Sequence, residues 1–142
     1  LGYHDPGQTA QAIDAEGCLH TGDLGYVDEA GVLHLTGRKK DIIIRNGTNL
    51  APRCIEEALL SLPGVRAAAV VGLPDELQGE QPWAAVVCET QEKPRVMDGL
   101  RPLLVKNELP AGIMWMDALP MTGSGKPDKQ AVKELIRQWR SA

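Results

Sequence analysis

Apolar positions come in short runs, each of strand length or spaced to one face of a helix, and turn-forming residues separate them along the chain. The opening stretch, to about residue 30, carries Asp5-Pro6-Gly7, Glu16-Gly17 and Asp28-Glu29-Ala30-Gly31, with too little apolar sequence between them to make a core. Residues 24–27 and 32–35 read as the strands of a hairpin closed by the turn at 28–31. After the basic knot Arg38-Lys39-Lys40, the β-branched run Ile42-Ile43-Ile44 predicts a strand buried on at least one side, turned by Asn46-Gly47.

Pro52 suits the first position of a helix running to about Leu62, with Glu56 and Glu57 near its positive end and Ile55, Leu59 and Leu62 on one face. Pro63-Gly64 ends it. Residues 67–72 and 82–89 are apolar runs expected to be neighbouring central strands, separated by a polar loop over 74–81. A second helix should end at Glu108 or Leu109, before Pro110. Pro102 would cost about 3 kcal/mol in a helix interior, so it is placed in the first turn, with Asp98 as a cap. Residues 113–119 predict a further strand. The last helix runs from about Asp128 to Trp139, with Val132, Leu135, Ile136 and Trp139 on one face. From residue 38 the order is strand, helix, strand, strand, helix, strand, helix, which predicts an α+β domain of two layers, a short mixed sheet flanked by about three helices. No internal repeat is expected.

Composition narrows the function classes. At 142 residues, 43% of them hydrophobic, the chain can pack a core. A net charge of −4 without a long basic run argues against nucleic acid as a partner. No apolar run approaches the ~20 residues needed to span a bilayer, and the polar start is no signal peptide, so a cytoplasmic location without a membrane span is expected. Cys18, Cys54 and Cys88 are odd in number and far apart, which fits neither a disulfide framework nor a zinc site; they are expected to be reduced thiols, two of them buried. His4, His20 and His34 share no ligand spacing, so no metal site is expected. The first residue is Leu1 and the first methionine Met97, from which a longer parent polypeptide is expected.

Three segments carry candidate chemistry. Thr122-Gly123-Ser124-Gly125-Lys126 is not a P-loop, because prolines occupy positions 120 and 127 where that motif needs Gly and Ser/Thr. It reads either as a surface turn with a solvated lysine or as a loop that delivers a cation. Arg38-Lys39-Lys40 is either a solvated basic face or, lying between the hairpin region and the compact remainder, a hinge. Asp23 follows Thr21-Gly22 and either accepts hydrogen bonds from a ribose diol or caps a turn.

Together these segments resemble the carboxyl-terminal part of the adenylate-forming superfamily, which includes acyl- and aryl-CoA synthetases, nonribosomal-peptide adenylation domains and firefly-type luciferases. The resemblance runs nearly end to end: Gly2-Tyr3-His4-Asp5-Pro6 with Thr9-Ala10, Gly17-Cys18-Leu19-His20-Thr21-Gly22-Asp23, and GVLHLTGRKKDIII over 31–44. Asn46-Gly47 through Pro52 and Ile55-Glu56, Val70-Val71-Gly72-Leu73-Pro74-Asp75 with Gly79-Glu80, and Leu119-Pro120 through Gly125-Lys126 complete it.

The resemblance implies that residues 1–37 are the tail of a large adenylating domain and residues 38–142 a mobile lid. It implies an intact enzyme that uses ATP, Mg2+ and coenzyme A to convert a small carboxylic acid first to an acyl-adenylate and then to a thioester. The missing amino-terminal domain would be this chain's partner and would hold most of these ligands, leaving the chain inert alone. Alternatives are an adenylation domain serving a carrier protein and a free-standing lid-like binding module. Carried over by motif, Asp23 and Arg38 would contact the ribose hydroxyls, Lys40 would be the hinge, and Gly47 would lie beside the pantetheine arm. Lys126 would be catalytic in adenylation, a cation where two anions meet. Pro127 stands where the family prefers Ile or Val, and is expected to stiffen the lysine loop.

Overall fold

A computed structural model describes residues 4–89 and 91–142, which fall into two compact units, Leu1–Lys40 and Asp41–Ala142. In the first unit a short helix α1 (Pro6–Ala12), capped by the Asp5 carboxylate accepting from the Gly7 N–H, precedes the hairpin of β1 (Asp23–Val27) and β2 (Leu33–Arg38). The hairpin stands where the apolar pattern predicts it; α1, too short and polar to show periodicity, adds to that pattern. No described residue of this unit is buried, and Leu19, Tyr26, Val27, Val32, Leu33 and Leu35 are exposed apolar side chains. The unit has no core of its own.

Two turns of this unit repeat one device that the sequence reading passed over. Asp14-Ala15-Glu16-Gly17-Cys18-Leu19-His20 and Asp28-Glu29-Ala30-Gly31-Val32-Leu33-His34 share Asp, Gly, Leu and His at equal spacing. In each, the aspartate Oδ1 accepts from the backbone N–H groups two and four residues on, and Oδ2 meets the histidine Nε2, at 2.9 Å for Asp14 and 2.7 Å for Asp28. Gly17 and Gly31 both hold φ +82, which glycine adopts without steric cost.

In the second unit β3 (Ile43–Arg45) and β4 (Thr48–Leu50) form a small hairpin, followed by α2 (Pro52–Leu60), β5 (Val65–Asp75) and β6 (Gly79–Cys88). Then come α3 (Lys93–Leu100), β7 (Gly112–Trp115) and α4 (Lys129–Ser141). The sheet order is β4-β3-β6-β5, with β7 parallel to β6 and the other pairings antiparallel. This is the expected α+β class, with a short mixed sheet and three flanking helices.

The helices are shared between both faces of the sheet, which makes three layers where two are expected, because both faces of β5 and β6 are apolar. Alternation along β5 sends Ala68 and Val70 to a cluster with Ile55, Leu59, Val96 and Leu100, and Ala69, Val71 and Leu73 to one with Leu119, Val132 and Ile136. Each Val, Leu or Ile buried this way contributes roughly 1.5–3 kcal/mol, so the second unit holds itself together.

Several elements differ from the apolar pattern. β5 and β6 extend toward each other until only residues 76–78 join them, and β5 is an edge strand, not a central one. Its edge is met by Glu56, whose Oε1 accepts from the Val70 N–H at 2.8 Å. α3 begins five residues before Asp98, with Pro94 in its first turn, and ends before Pro102. That position lets Val96 and Leu100, four residues apart, reach the core, while Pro102 interrupts no helical bond. The strand expected over 113–119 ends at Trp115. α4 is capped by the Asp128 carboxylate accepting from the Ala131 N–H, but Trp139 is half exposed and its ring stands edge-on to Trp83. None of the cysteines is buried: Cys18 and Cys54 are exposed and Cys88 is intermediate. Among the described residues no helix is long and apolar enough to cross a membrane.

Candidate functional site

Asp23 opens β1 and Arg38 closes β2, and the register of the two strands makes them direct partners. Arg38 Nε lies 3.3 Å from Asp23 Oδ1, longer than a tight charge-assisted bond, and both side chains remain about a third to a half exposed. Asp23 is aimed by its surroundings. Its N–H donates to Thr21 Oγ1, and the Lys39 N–H donates to the Gly22 carbonyl at 2.8 Å, closing the end of the hairpin. The result is a carboxylate and a guanidinium side by side at an open strand end, an arrangement that can accept from and donate to a diol.

The chain then makes one turn of 3-10 helix, Lys39–Asp41, and the division between the two compact units falls between Lys40 and Asp41. Lys40 is exposed. Gly47 lies on the two-residue turn of the β3–β4 hairpin, where Asn46 holds φ +51 and Gly47 φ +73. Positive φ at both central residues is the geometry that matches strand twist, and Asn-Gly is the pair best suited to it. A Cβ at Gly47 would meet nothing within 4 Å, so open space lies beside this backbone.

Lys126 is carried on a closed turn between β7 and α4. The Asp128 N–H donates to the Pro120 carbonyl and the Thr122 N–H to the Lys126 carbonyl at 2.7 Å, while Met121 and Pro127 bridge as antiparallel partners. Gly125, at φ +79, makes the reversal, and its N–H donates to the Thr122 carbonyl. The result is a small fastened hairpin with Pro127 at its base. The Lys126 side chain is exposed and has no ion pair among the described residues. Gly47 and Lys126 occupy separate turns of the second unit.

Two clusters that the sequence reading did not single out hold these turns. Arg45 Nε donates to Gln78 Oε1 at 2.7 Å, and its Nη1 donates to the carbonyls of Asn107 and Leu109, both at 3.0 Å. Asn46 and Asn107 side chains meet at 3.2 Å. Beside Lys126, Lys129 Nζ reaches Glu56 Oε1 at 2.7 Å, tying the start of α4 to α2. Partners 33 to 73 positions apart leave no local signal in a sequence. Partial desolvation raises the thiol pKa of Cys54 and of Cys88, and the Glu57 carboxylate near Cys54 and the Glu92 carboxylate near Cys88 add to it, which keeps both thiols protonated. Among the described residues no group of three His, Cys, Asp or Glu comes together to hold a metal.

Residues 54–126 match the family model of the AMP-binding enzyme C-terminal domain. The chain belongs to that family, the lid domain of the adenylate-forming superfamily. Over 138 residues it is 41% identical to a methyl-dioxo-octahydroindenyl-propanoyl:CoA ligase of Rhodococcus jostii, covering 94% of this chain and 27% of that protein. The crystal structure of ATP-bound MatB from Rhodopseudomonas palustris is similar with a TM-score of 0.85 at 35% identity, covering 94% of this chain and 27% of that one. The amide bond synthetase McbA from Marinactinospora thermotolerans is similar with a TM-score of 0.85 at 41% identity, covering 94% and 28%. The chain thus spans about a quarter of the length of the proteins it matches.

Proposed function

We propose that residues 1–37 are the tail of the large domain, and residues 38–142 the lid, of an ATP-dependent acyl-CoA synthetase that forms an acyl-adenylate and passes the acyl group to coenzyme A. The observation that carries this reading is Lys126, an exposed cation without an ionic partner among the described residues, on a turn fastened at its base. A preorganised cation aimed at the point where a carboxylate attacks the α-phosphate stabilises the developing charge by roughly 3–4 kcal/mol, about 10² to 10³ in rate. In the same reading Asp23 and Arg38 bind the ribose hydroxyls, Lys40 is the hinge, and Gly47 leaves room for the pantetheine arm.

The rest of the site lies on polypeptide outside this chain, so the chain alone is inert. The coreless first unit, with its exposed apolar side chains, supports its packing against that larger domain. Among the described residues no set of carboxylates gathers to hold Mg2+. The unpaired thiols fit a cytoplasmic setting.

In the full-length protein, Lys126→Ala should lower pyrophosphate release from ATP and acid by about 10² to 10³, while thioester formation from supplied acyl-adenylate stays within about twofold. Equal losses in both half-reactions would make Lys126 structural. The likeness to an amide bond synthetase supports a second reading of the acceptor, an amine in place of coenzyme A. Offering both acceptors to the acyl-adenylate and identifying the product separates the two.

A further inference from the structure

The turn that carries Gly47 is held only weakly by the sheet. β3 and β4 pair over three residues each, and β3 joins the main sheet through one register pair, Arg45 with Gly79. At the far end of the hairpin the apolar side chains of Ile43 and Leu50 are buried and fix it. At the turn itself there is no apolar anchor; Asn46 and Gly47 are exposed.

What fixes the turn is a polar clamp centred on Arg45. Its guanidinium joins three segments: its own hairpin, the β5–β6 turn through Gln78, and the loop after α3 through the carbonyls of Asn107 and Leu109. The loop answers with Asn107, whose Nδ2 donates to the Arg45 carbonyl at 3.3 Å and whose Oδ1 accepts from Asn46 Nδ2. The Asn46 N–H donates to the Gln78 carbonyl at 2.8 Å. The three segments surround an open groove lined by Arg45, Asn46, Leu77, Gln78, Lys106 and Asn107.

We infer that Arg45 and Asn107 are positioning residues for the acyl-transfer step: they hold the Asn46-Gly47 backbone where the acceptor arm must pass. A planar guanidinium with several donors in fixed directions suits this role, since a single cation could not reach three acceptors on two neighbouring segments at once. An approaching thiol needs its path defined to a fraction of an ångström, and a misplacement of about 1 Å can cost about 10² in rate. Lys126 is carried by a different turn with its own fastening, so the clamp bears on one half-reaction and not the other.

The inference rests on the proposed placement of Gly47 beside the acceptor arm, and the test separates the two. In the full-length enzyme, Gly47→Leu, Arg45→Ala and Asn107→Ala are compared by pyrophosphate release without coenzyme A and by thioester formation from supplied acyl-adenylate. Gly47→Leu should block thioester formation. Arg45→Ala should slow that step tenfold or more, and Asn107→Ala, which keeps the fold-spanning guanidinium, severalfold, both with pyrophosphate release within about twofold of wild type. Arg45→Lys, which retains a donor, should recover part of the loss. A silent Arg45→Ala beside a blocked Gly47→Leu overturns the inference alone, as do equal losses in both half-reactions. Unimpaired thioester formation in Gly47→Leu overturns the placement of Gly47 and the inference with it.

Discussion

Asp23 and Arg38 are fifteen positions apart in sequence and directly opposed across the β1–β2 ladder, with Arg38 Nε 3.3 Å from Asp23 Oδ1. A pair this exposed contributes about 0.2–1 kcal/mol to stability, whereas a hydrogen bond from a ligand to a charged group is worth about 1.5–3 kcal/mol. Asp23→Ala in the full-length enzyme is therefore expected to melt nearly as wild type yet to raise the KM for ATP by roughly tenfold or more. The wild type should also discriminate ATP from 2′-deoxy-ATP, and the variant should not. Undiminished discrimination in Asp23→Ala would remove the carboxylate from the ribose site.

Glu56 serves two elements with one oxygen. Its Oε1 accepts from the Val70 N–H on the edge of β5 and from Lys129 Nζ at the start of α4, and both side chains are mostly shielded. Glu56→Ala leaves a strand N–H and a half-buried ammonium without their partner, which costs about 1–3 kcal/mol. Chemical denaturation of residues 41–142 should show a lower midpoint with an unchanged slope. A change below about 0.5 kcal/mol, the usual range for surface substitutions, would mean that water replaces the carboxylate at no cost.

The repeated turns of the first unit carry the clearest acid response. The Cys18 N–H and the His20 ring hold the Asp14 pKa below 3.8, and the His34 ring and the Val32 N–H do the same for Asp28. Because both folded-state values are depressed, the turns gain stability above the ordinary aspartate pKa and lose it as pH falls through the folded values. The carboxylate step in the amide shifts of Cys18, Ala30 and Val32 should have its midpoint below the usual aspartate range. Midpoints at or above that range would mean the side-chain bonds are absent in solution.

Much of this protein was legible from local pattern. The hairpin at 24–35, the start of α2 at Pro52, the place of α4 and, apart from the short β4, the order of strands and helices after residue 38 follow from turn residues and side-chain periodicity, both local properties. Pro102 misled because a proline is tolerated equally in the first turn of a helix and just beyond its last. Only packing chose between them, through Val96 and Leu100. The cysteines misled for a related reason: a thiol is apolar enough for a core, and nothing local says whether its position is covered.

The sequence by itself determined which residues carry charge and which backbone positions can reverse: the Gly125-Lys126 turn, the Asn46-Gly47 turn, and the Asp and Arg at the ends of two strands. Those are properties of single residues and near neighbours. The tertiary structure alone decided that Asp23 meets Arg38, that Arg45 grips Asn107 and Leu109, and that Glu56 reaches Lys129. Each of those contacts joins groups separated by between 15 and 73 positions, and their distance in space is set by how the apolar faces of intervening elements bury one another.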